Sequence, residues 1–132
     1  MDIQRVEQRR FTKGDCGVAC VAMITGKRYE EVERRFHKRG LVSNGEYFTF
    51  HKDLMDVLES FGYEVKRRKF VSWKTVCFPA IVKVNVRAGN YWHWVVLAGD
   101  RKILDPKPGM PKVVNHYRGR KGEGQYLYVV QS

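Results

Sequence analysis

An α+β fold, with N-terminal helices packed on a C-terminal antiparallel sheet, is predicted by three observations on this 132-residue sequence. Apolar residues recur at helical spacing in the first half, whereas the second half contains short apolar runs with the alternation typical of strands. Hydrophobic residues make up 43% of the chain and aromatic residues 13%, which excludes a disordered chain. Helices followed by strands are the order of an α+β layer arrangement. We expect a single domain over residues 1–132, because a chain of this length supports one core.

The first predicted helix begins after Asp15 and ends before Gly26, residues that are typical of an N-cap and a C-cap. Cys16 therefore falls in its first turn. Unpaired backbone N–H groups and the positive end of the helix dipole favour a thiolate over a thiol at such a position. The rest of the segment is so apolar that we expect the helix to be buried. Residues 1–12 before it are interpreted as an arm or a short strand that leads into a loop.

Two amphipathic helices are predicted next, over residues 29–37 and from residue 49 or 50 to Gly62, with a connecting loop between them. Five strands are predicted in the second half, over residues 63–70, 78–86, 91–97, 102–104 and 126–130. The first strand carries four consecutive basic residues, which is typical of an exposed edge strand.

The hairpin formed by the third and fourth predicted strands decides whether a histidine meets a carboxylate. A three-residue loop centred on Gly99, in the left-handed conformation, pairs His93 with Asp105 on one face of the sheet. A two-residue Gly99-Asp100 loop pairs Trp94 with Asp105 instead and points the carboxylate away. A histidine oriented by Asp105 therefore requires the three-residue loop.

His93 is the candidate base among the four histidines. His37 and His51 lie on predicted helices, where the outer face is the default location, and His116 lies in a polar, glycine-rich tail. Only His93 begins a strongly apolar strand. A cysteine nucleophile needs a base within hydrogen-bond reach and a third group that orients that base. His93 is therefore the predicted partner of Cys16.

Two stretches of the sequence resemble the papain-like bacteriocin-processing peptidases, which cut after double-glycine leaders. The catalytic opening of that family is matched by Asp15-Cys16-Gly17-Val18-Ala19-Cys20-Val21-Ala22-Met23-Ile24, followed by Thr25-Gly26-Lys27. The family's second and third catalytic motifs are matched, in the same order, by His93-Trp94-Val95-Val96-Leu97 and Ile103-Leu104-Asp105-Pro106. The resemblance covers roughly residues 8–106. It implies a papain-like cysteine peptidase fold.

By this resemblance Cys16 is the nucleophile, His93 is the general base and later the general acid, and Asp105 is the carboxylate that orients the histidine. The implied reaction is cleavage of an amide bond through a thioester on Cys16. It requires no cofactor and no metal. Trp92 and Trp94 are predicted to pack on the face opposite His93, the alternative being that one of them shields the ion pair.

The family also has a glutamine shortly before the cysteine, which helps to form the oxyanion hole. Gln8 is the candidate in this sequence. The family's usual position falls about two residues later, on Arg10, which cannot simply replace a glutamine. A small loop insertion at Lys13-Gly14 would restore Gln8 to the site.

Three other interpretations stay open. Papain-like sites also serve deamidases, transglutaminases and acyltransferases, because water or an amine can resolve the same thioester. A metal site using Cys16 and Cys20 is weakly indicated, since no close Cys/His pair occurs elsewhere in the sequence. Cys20 and Cys77 are more simply core or incidental thiols. The alternative from another class is a catalytically inactive basic protein that binds nucleic acid or an acidic partner.

The formal net charge of +11 includes basic clusters at residues 66–69 and 118–121. A solvated basic face is the simplest interpretation of these clusters, and no nucleic-acid-binding motif accompanies them. The expected partner is a peptide or protein substrate, with a weak preference for an acidic one. Nothing in the sequence predicts an oligomeric state.

The sequence has no apolar N-terminal region and no apolar run near the ~20 residues of a membrane span. Its three cysteines show no paired spacing and fit reduced thiols, so we expect a cytoplasmic protein. Because no transporter membrane domain follows, a stand-alone peptidase or modifying enzyme is favoured over an export-coupled leader peptidase.

Overall fold

The computed structural model describes residues 2–88 and 91–130, so Met1, residues 89–90 and residues 131–132 of the predicted domain lie outside the described part. Three helices precede five strands within it: α1 (Cys16–Thr25), α2 (Tyr29–Lys38), α3 (His51–Ser60), β1 (Val65–Lys69), β2 (Ala80–Arg87), β3 (Tyr91–Gly99), β4 (Lys102–Leu104) and β5 (Gly122–Val129). The helices pack on an antiparallel sheet, which confirms the predicted α+β fold class.

α1 is the central helix of the molecule, and every residue in it except Thr25 is buried. It ends at Gly26, which has a φ of 69° and donates its N–H to Ala22, so the predicted C-cap is confirmed. At the other end, a Cβ on Gly17 would lie 2.7 Å from Thr49 Oγ1 and 2.9 Å from Leu54 Cδ2. Only glycine lets the first turn of α1 approach α3 so closely. This packing fixes the position of the neighbouring Cys16.

The five strands form one sheet in the order β1-β5-β2-β3-β4. β1 is an edge strand as predicted, and residues 66–69 in it are exposed. The face toward the helices carries apolar residues that pack with α1, among them Ile81, Trp94, Val96, Leu104 and Leu127. A second apolar cluster includes Val82, Val84, Val95, Leu97 and Ile103. Both faces of the central strands are therefore buried, which explains their nearly continuous apolar character.

The turn between β3 and β4 differs from both predicted loops. Leu97 pairs with Ile103, Gly99 pairs with Lys102, and the register shifts between these two pairs. Ala98 is thus an extra residue on β3, as in a β-bulge. The turn consists of residues 100 and 101, and Arg101, with a φ of 51°, takes the left-handed conformation assigned to Gly99. The three-residue loop centred on Gly99 is therefore a wrong prediction.

The corrected register still brings His93 and Asp105 to one face of the sheet. Because Val96 pairs with Leu104, continuing the ladder by one residue would place Asp105 opposite Val95. Residues two apart on a strand point to the same face, so His93 lies diagonally across from Asp105. The bulge explains why the prediction reached the correct neighbours through a wrong pairing.

Other element boundaries differ from the predicted ones by a few residues. α3 begins at His51, because the Phe50 N–H is bonded to the Asp53 carboxylate at 2.8 Å and marks the start of the helix. β5 begins at Gly122, four residues before the predicted strand, because it pairs with both β1 and β2. Within residues 2–88 and 91–130, no helix has the length and apolar character needed to cross a bilayer.

Candidate active site

A cavity of about 420 Å³ opens beside the first turn of α1. Four residues on its wall are the ones that the sequence singled out, namely Gln8, Cys16, His93 and Asp105. They come from the N-terminal arm, the start of α1, the start of β3 and the segment after β4. The fold therefore gathers residues that are far apart in the sequence, from Gln8 to Asp105.

Cys16 is the first residue of α1 and is 7% exposed. It lines the main cavity and also a smaller adjoining one of about 50 Å³, whose wall includes Trp92 and Trp94. The first N–H groups of an α-helix have no partner within the helix. The thiol therefore lies where backbone donors and the helix dipole can stabilise negative charge.

Asp15 is the N-cap residue of α1, as predicted, but its side chain makes no capping hydrogen bond to the helix. Its carboxylate instead accepts hydrogen bonds from the Gln8 amide (2.9 Å), the Arg9 and Arg10 N–H groups (3.0 Å each) and the Tyr29 hydroxyl (2.7 Å). Asp15 is completely buried. These donors compete with the helix N–H groups for the carboxylate, so the side chain holds the N-terminal arm against the start of α1.

Gln8 lies on the cavity wall in spite of its unusual distance from Cys16. Its backbone N–H donates to Pro106 O at 2.8 Å, and its side-chain nitrogen donates to Asp15. Because a carboxylate accepts hydrogen bonds, this contact fixes which end of the amide is the nitrogen. Gln8 Oε1 is buried and has no hydrogen-bond partner among the described residues.

A short helical turn over Phe11–Lys13 lies between Gln8 and Cys16. It ends at Gly14, which has a φ of 75° and lies so close to Phe48 that a Cβ there would be 2.6 Å from the ring. The turn contains Lys13 and is followed by Gly14, and the loop insertion at these two residues stays a prediction.

His93 and Asp105 are in direct contact, with 2.7 Å between His93 Nε2 and Asp105 Oδ1. Burial disfavours the imidazolium, but hydrogen bonds and Coulombic attraction from Asp105 and Cys16 outweigh it and raise the pKa of His93 to about 9. Burial likewise disfavours the carboxylate, yet contacts with His93, the Lys107 N–H and Arg120 lower the pKa of Asp105 to about 2. Since Nε2 is bonded to Asp105, Nδ1 is the ring nitrogen left for Cys16.

This arrangement predicts that His93 keeps its proton well above neutral pH and loses it near pH 9. A histidine whose pKa is raised by folding adds stability that is complete below its ordinary pKa of 6.5 and is lost as pH rises toward 9. Because Cys16 contributes to this pKa, Cys16→Ala is expected to lower it. NMR titration of the His93 ring in both proteins measures the two values. A pKa at or below 6.5 in the unsubstituted protein would contradict the ion pair.

Arg120 is a site residue that the sequence interpretation missed. Its guanidinium donates to Asp105 Oδ2 from Nε at 3.1 Å and from Nη2 at 2.9 Å, and Arg120 is 9% exposed. The basic cluster at residues 118–121 was expected to form a solvated face, and for Arg120 that expectation is wrong. In the sequence Arg120 is one of three basic residues in a short cluster, and a buried ion pair leaves no periodic pattern by which to recognise it.

Arg5 secures the segment that carries Asp105. It donates from Nε to Asp105 O at 2.6 Å and from Nη2 to Lys107 O at 2.7 Å. The N-terminal arm is therefore bonded on one side to the Asp105 segment and on the other, through Gln8, to Asp15.

The other three histidines lie outside this cavity. His51 was expected on the outer face of its helix, but it is buried and bonded to Gln125 O at 2.6 Å, so that expectation is wrong. Burial lowers the pKa of His51, which keeps it neutral. His37 is exposed and contacts the Tyr47 hydroxyl, and His116 is exposed.

The remaining aromatic and thiol predictions concern packing. Trp94 is buried on the helix-facing side of the sheet, and Trp92 is partly exposed on the rim of the cavity. The three cysteines are all free, with Cys20 fully buried. In the part of the chain that the structure covers, no three His, Cys, Asp or Glu side chains are grouped so as to bind a metal ion.

Comparison with solved structures identifies peptidase domains of the same architecture. The peptidase domain of Streptococcus ComA, a bifunctional ABC transporter involved in a quorum-sensing pathway, is 17% identical and has a TM-score of 0.67 over 99% of this chain and 100% of that one. A double-glycine-motif protease from an AMS/PCAT transporter, in complex with a leader peptide, is 21% identical with a TM-score of 0.64, over 99% and 100%. At these identities the likeness shows the papain-like fold.

No curated protein matches the chain in a sequence search. The model of the peptidase C39 family, in contrast, matches residues 5–116, which include the four predicted site residues. Both catalytic motifs noted in the sequence fall inside this match. The chain therefore belongs to the peptidase C39 family.

Proposed function

We propose that this protein is a cysteine peptidase that cleaves an amide bond of a peptide substrate through a thioester on Cys16. The observation that carries the proposal is the 2.7 Å contact between His93 Nε2 and Asp105 Oδ1 on the wall of the cavity that Cys16 also lines. Membership of the C39 family supports the same reaction class. A nucleophile, a base and an orienting carboxylate in one cavity are what acyl transfer requires.

In the proposed first step, the Cys16 thiolate attacks the carbonyl carbon of the scissile amide. The imidazolium of His93 then gives its proton to the leaving amine, the C–N bond breaks, and the first product departs. In the second step, His93 takes a proton from water, whose oxygen attacks the thioester carbon. The C–S bond breaks, the acid product leaves, and the thiolate and imidazolium are regenerated. Asp105 keeps the ring oriented throughout.

The oxyanion of each tetrahedral intermediate needs donors that are already in place. The Cys16 N–H at the start of α1 is one candidate, and the side-chain nitrogen of Gln8 is the other. One of the two Gln8 N–H groups is bonded to Asp15 at 2.9 Å, which leaves the second for the oxyanion. Asp15 thereby prevents the amide from turning its oxygen toward the developing negative charge.

The rim of the cavity fits a peptide better than a small polar molecule. Phe11, Phe48 and Tyr91 line it and are about half exposed, and the Phe48 and Tyr91 rings meet edge to face at 5.6 Å. Arg87 and Lys107 are exposed on the same rim, whereas Asp105 is the only carboxylate among the described lining residues. We propose that the cavity binds an apolar segment of a peptide that has acidic residues nearby.

Cleavage of synthetic peptides tests the proposed function. Because a structural neighbour is a double-glycine-motif protease in complex with a leader peptide, the first set contains a double-glycine motif, with acidic or basic flanks, and a matched set replaces Gly-Gly by Ala-Ala. We expect mass spectrometry to detect both fragments of a cleaved peptide and cleavage to be faster when the flanks are acidic. No fragments are expected with Cys16→Ala. An intact backbone with a side-chain amide converted to acid would contradict a peptidase and support a deamidase.

Gln8→Ala is expected to lower kcat by about 10²–10³-fold, because it removes one oxyanion donor. KM should change little, since the donor acts on charge that develops in the transition state. Gln4→Ala is the matched control, because Gln4 lies in the same arm but is exposed, and its side chain donates to the exposed Asp2. A loss of less than fivefold in Gln8→Ala would remove Gln8 from the oxyanion hole.

A further inference from the structure

We propose that Arg120 is a positioning residue that locks the Asp105 carboxylate in the orientation that His93 requires. The inference deepens the proposed function and rests on it. Arg120 lies beyond residue 116, where the match to the family model ends. Within this chain, the loop between β4 and β5 brings Arg120 to the site.

The hydrogen bonds of Asp105 are divided cleanly between its two oxygens. Oδ1 accepts from His93 Nε2 at 2.7 Å and from the Lys107 N–H at 3.0 Å. Oδ2 accepts from Arg120 Nε at 3.1 Å and Nη2 at 2.9 Å. With both oxygens occupied, the carboxylate cannot rotate about its Cβ–Cγ bond without breaking a charged contact. Oδ1 is thereby kept directed at His93 and the Lys107 N–H.

Burial strengthens the ion pair between Asp105 and Arg120. The Asp105 and Arg120 side chains are 6% and 9% exposed, so water screens their attraction poorly. A buried carboxylate that lost one of its two cationic partners would have an oxygen without a donor, and it would turn or take up a proton. Either change weakens the contact between Asp105 and His93, although the hydrogen bonds of the Arg120 side chain go to Asp105 and not to His93.

Contacts of the loop around Arg120 hold its guanidinium in place. Trp73 Nε1 donates to Arg120 O at 2.9 Å, and the Trp73 ring stacks on Tyr117 with 4.9 Å between centroids. Asn85 donates to Gly119 O at 3.0 Å and accepts from the Lys121 N–H at 2.9 Å. The residues on both sides of Arg120 are therefore fixed.

The first test compares Arg120→Met, Arg120→Lys and a control, Arg118→Met. Arg118 is exposed in the same loop and accepts a hydrogen bond from Arg120 through its backbone oxygen. Its substitution removes the same charge and leaves that backbone acceptor in place. We expect Arg120→Met to lower kcat about 10–100-fold, the range found when outer partners of metal-ligand residues are removed. KM should change less than threefold. Arg120→Lys should retain an intermediate rate, and the control should match the unsubstituted protein.

The second test needs no substrate and therefore separates this inference from the proposed function. NMR titration of the His93 ring is carried out in folded Arg120→Met and Arg120→Lys. If Arg120 only contributed charge, its removal would raise the pKa of His93, because a neighbouring cation is lost. If it positions Asp105, the pKa of His93 should fall toward the ordinary histidine value, with Arg120→Lys in between.

Two results would overturn the inference. One is a kcat of Arg120→Met within twofold of the unsubstituted protein. The other is a pKa of His93 that is unchanged or higher in the folded variant, even if the variant is less stable. Should no peptide be cleaved by any of the proteins, the proposed function fails, and the titration alone still decides whether Arg120 positions Asp105.

Discussion

His93→Ala is expected to lower kcat by about 10⁴–10⁶-fold with little effect on KM, the largest effect we predict on activity. The loss follows from the assignment of both proton transfers to His93. Removing a residue that acts as both base and acid lowers the rate nearly as much as removing the whole set of catalytic residues. Steady-state cleavage of the peptide found in the first screen measures the loss.

His116→Ala is the control for this experiment, because His116 is exposed and lies outside the candidate cavity. It should leave both kcat and KM unchanged. Asp105→Asn should approach the loss of His93→Ala, since the amide no longer holds the ring in the required tautomer. Cleavage by His93→Ala within tenfold of the unsubstituted rate would show that His93 is not the base.

Asp15→Ala is expected to destabilise the protein by about 3–5 kcal/mol, the largest effect we predict on stability. The carboxylate is fully buried and accepts hydrogen bonds from Gln8, Arg9, Arg10 and Tyr29. Removing it leaves those donors unpaired in the interior. Urea unfolding, with the midpoint and slope compared between the two proteins, gives the difference.

Two companion variants calibrate the Asp15 result. Tyr29→Phe removes one of the donors, whose hydroxyl lies 2.7 Å from Asp15 Oδ2, and should cost about 1–2 kcal/mol. Asp100→Ala removes a carboxylate that is 80% exposed and should stay within about 0.5 kcal/mol of the unsubstituted protein. If Asp15→Ala behaved like Asp100→Ala, the buried network around Asp15 would not hold the arm.

The fold class was predictable because helix and strand periodicity are local properties of the sequence. α1 and α2 and the edge position of β1 were anticipated from apolar spacing, helix-end residues and a basic strand. The β3–β4 turn was not, because a bulge at Ala98 inserts a residue that no turn preference reveals. Local patterns therefore predicted the elements but not their pairing.

The site was predicted only in part for a similar reason. Cys16, His93 and Asp105 belong to motifs with recognisable neighbours, and the cavity brings them together. Asp15 and Arg120 act through contacts between distant segments, and neither contact is encoded by spacing. Asp15 occupies the predicted N-cap position, but its carboxylate bonds to donors from other segments and not to the helix N–H groups.

Labelling with iodoacetamide at neutral pH, followed by peptide mapping, tests most directly that Cys16 is the nucleophile. Cys16 lines the open cavity, whereas Cys20 is fully buried and burial raises its pKa well above the ordinary value. We predict that Cys16 is modified first, that His93→Ala slows this reaction, and that Cys20 is unmodified in the folded protein. Modification of Cys20 or Cys77 while Cys16 stays inert would contradict the catalytic assignment.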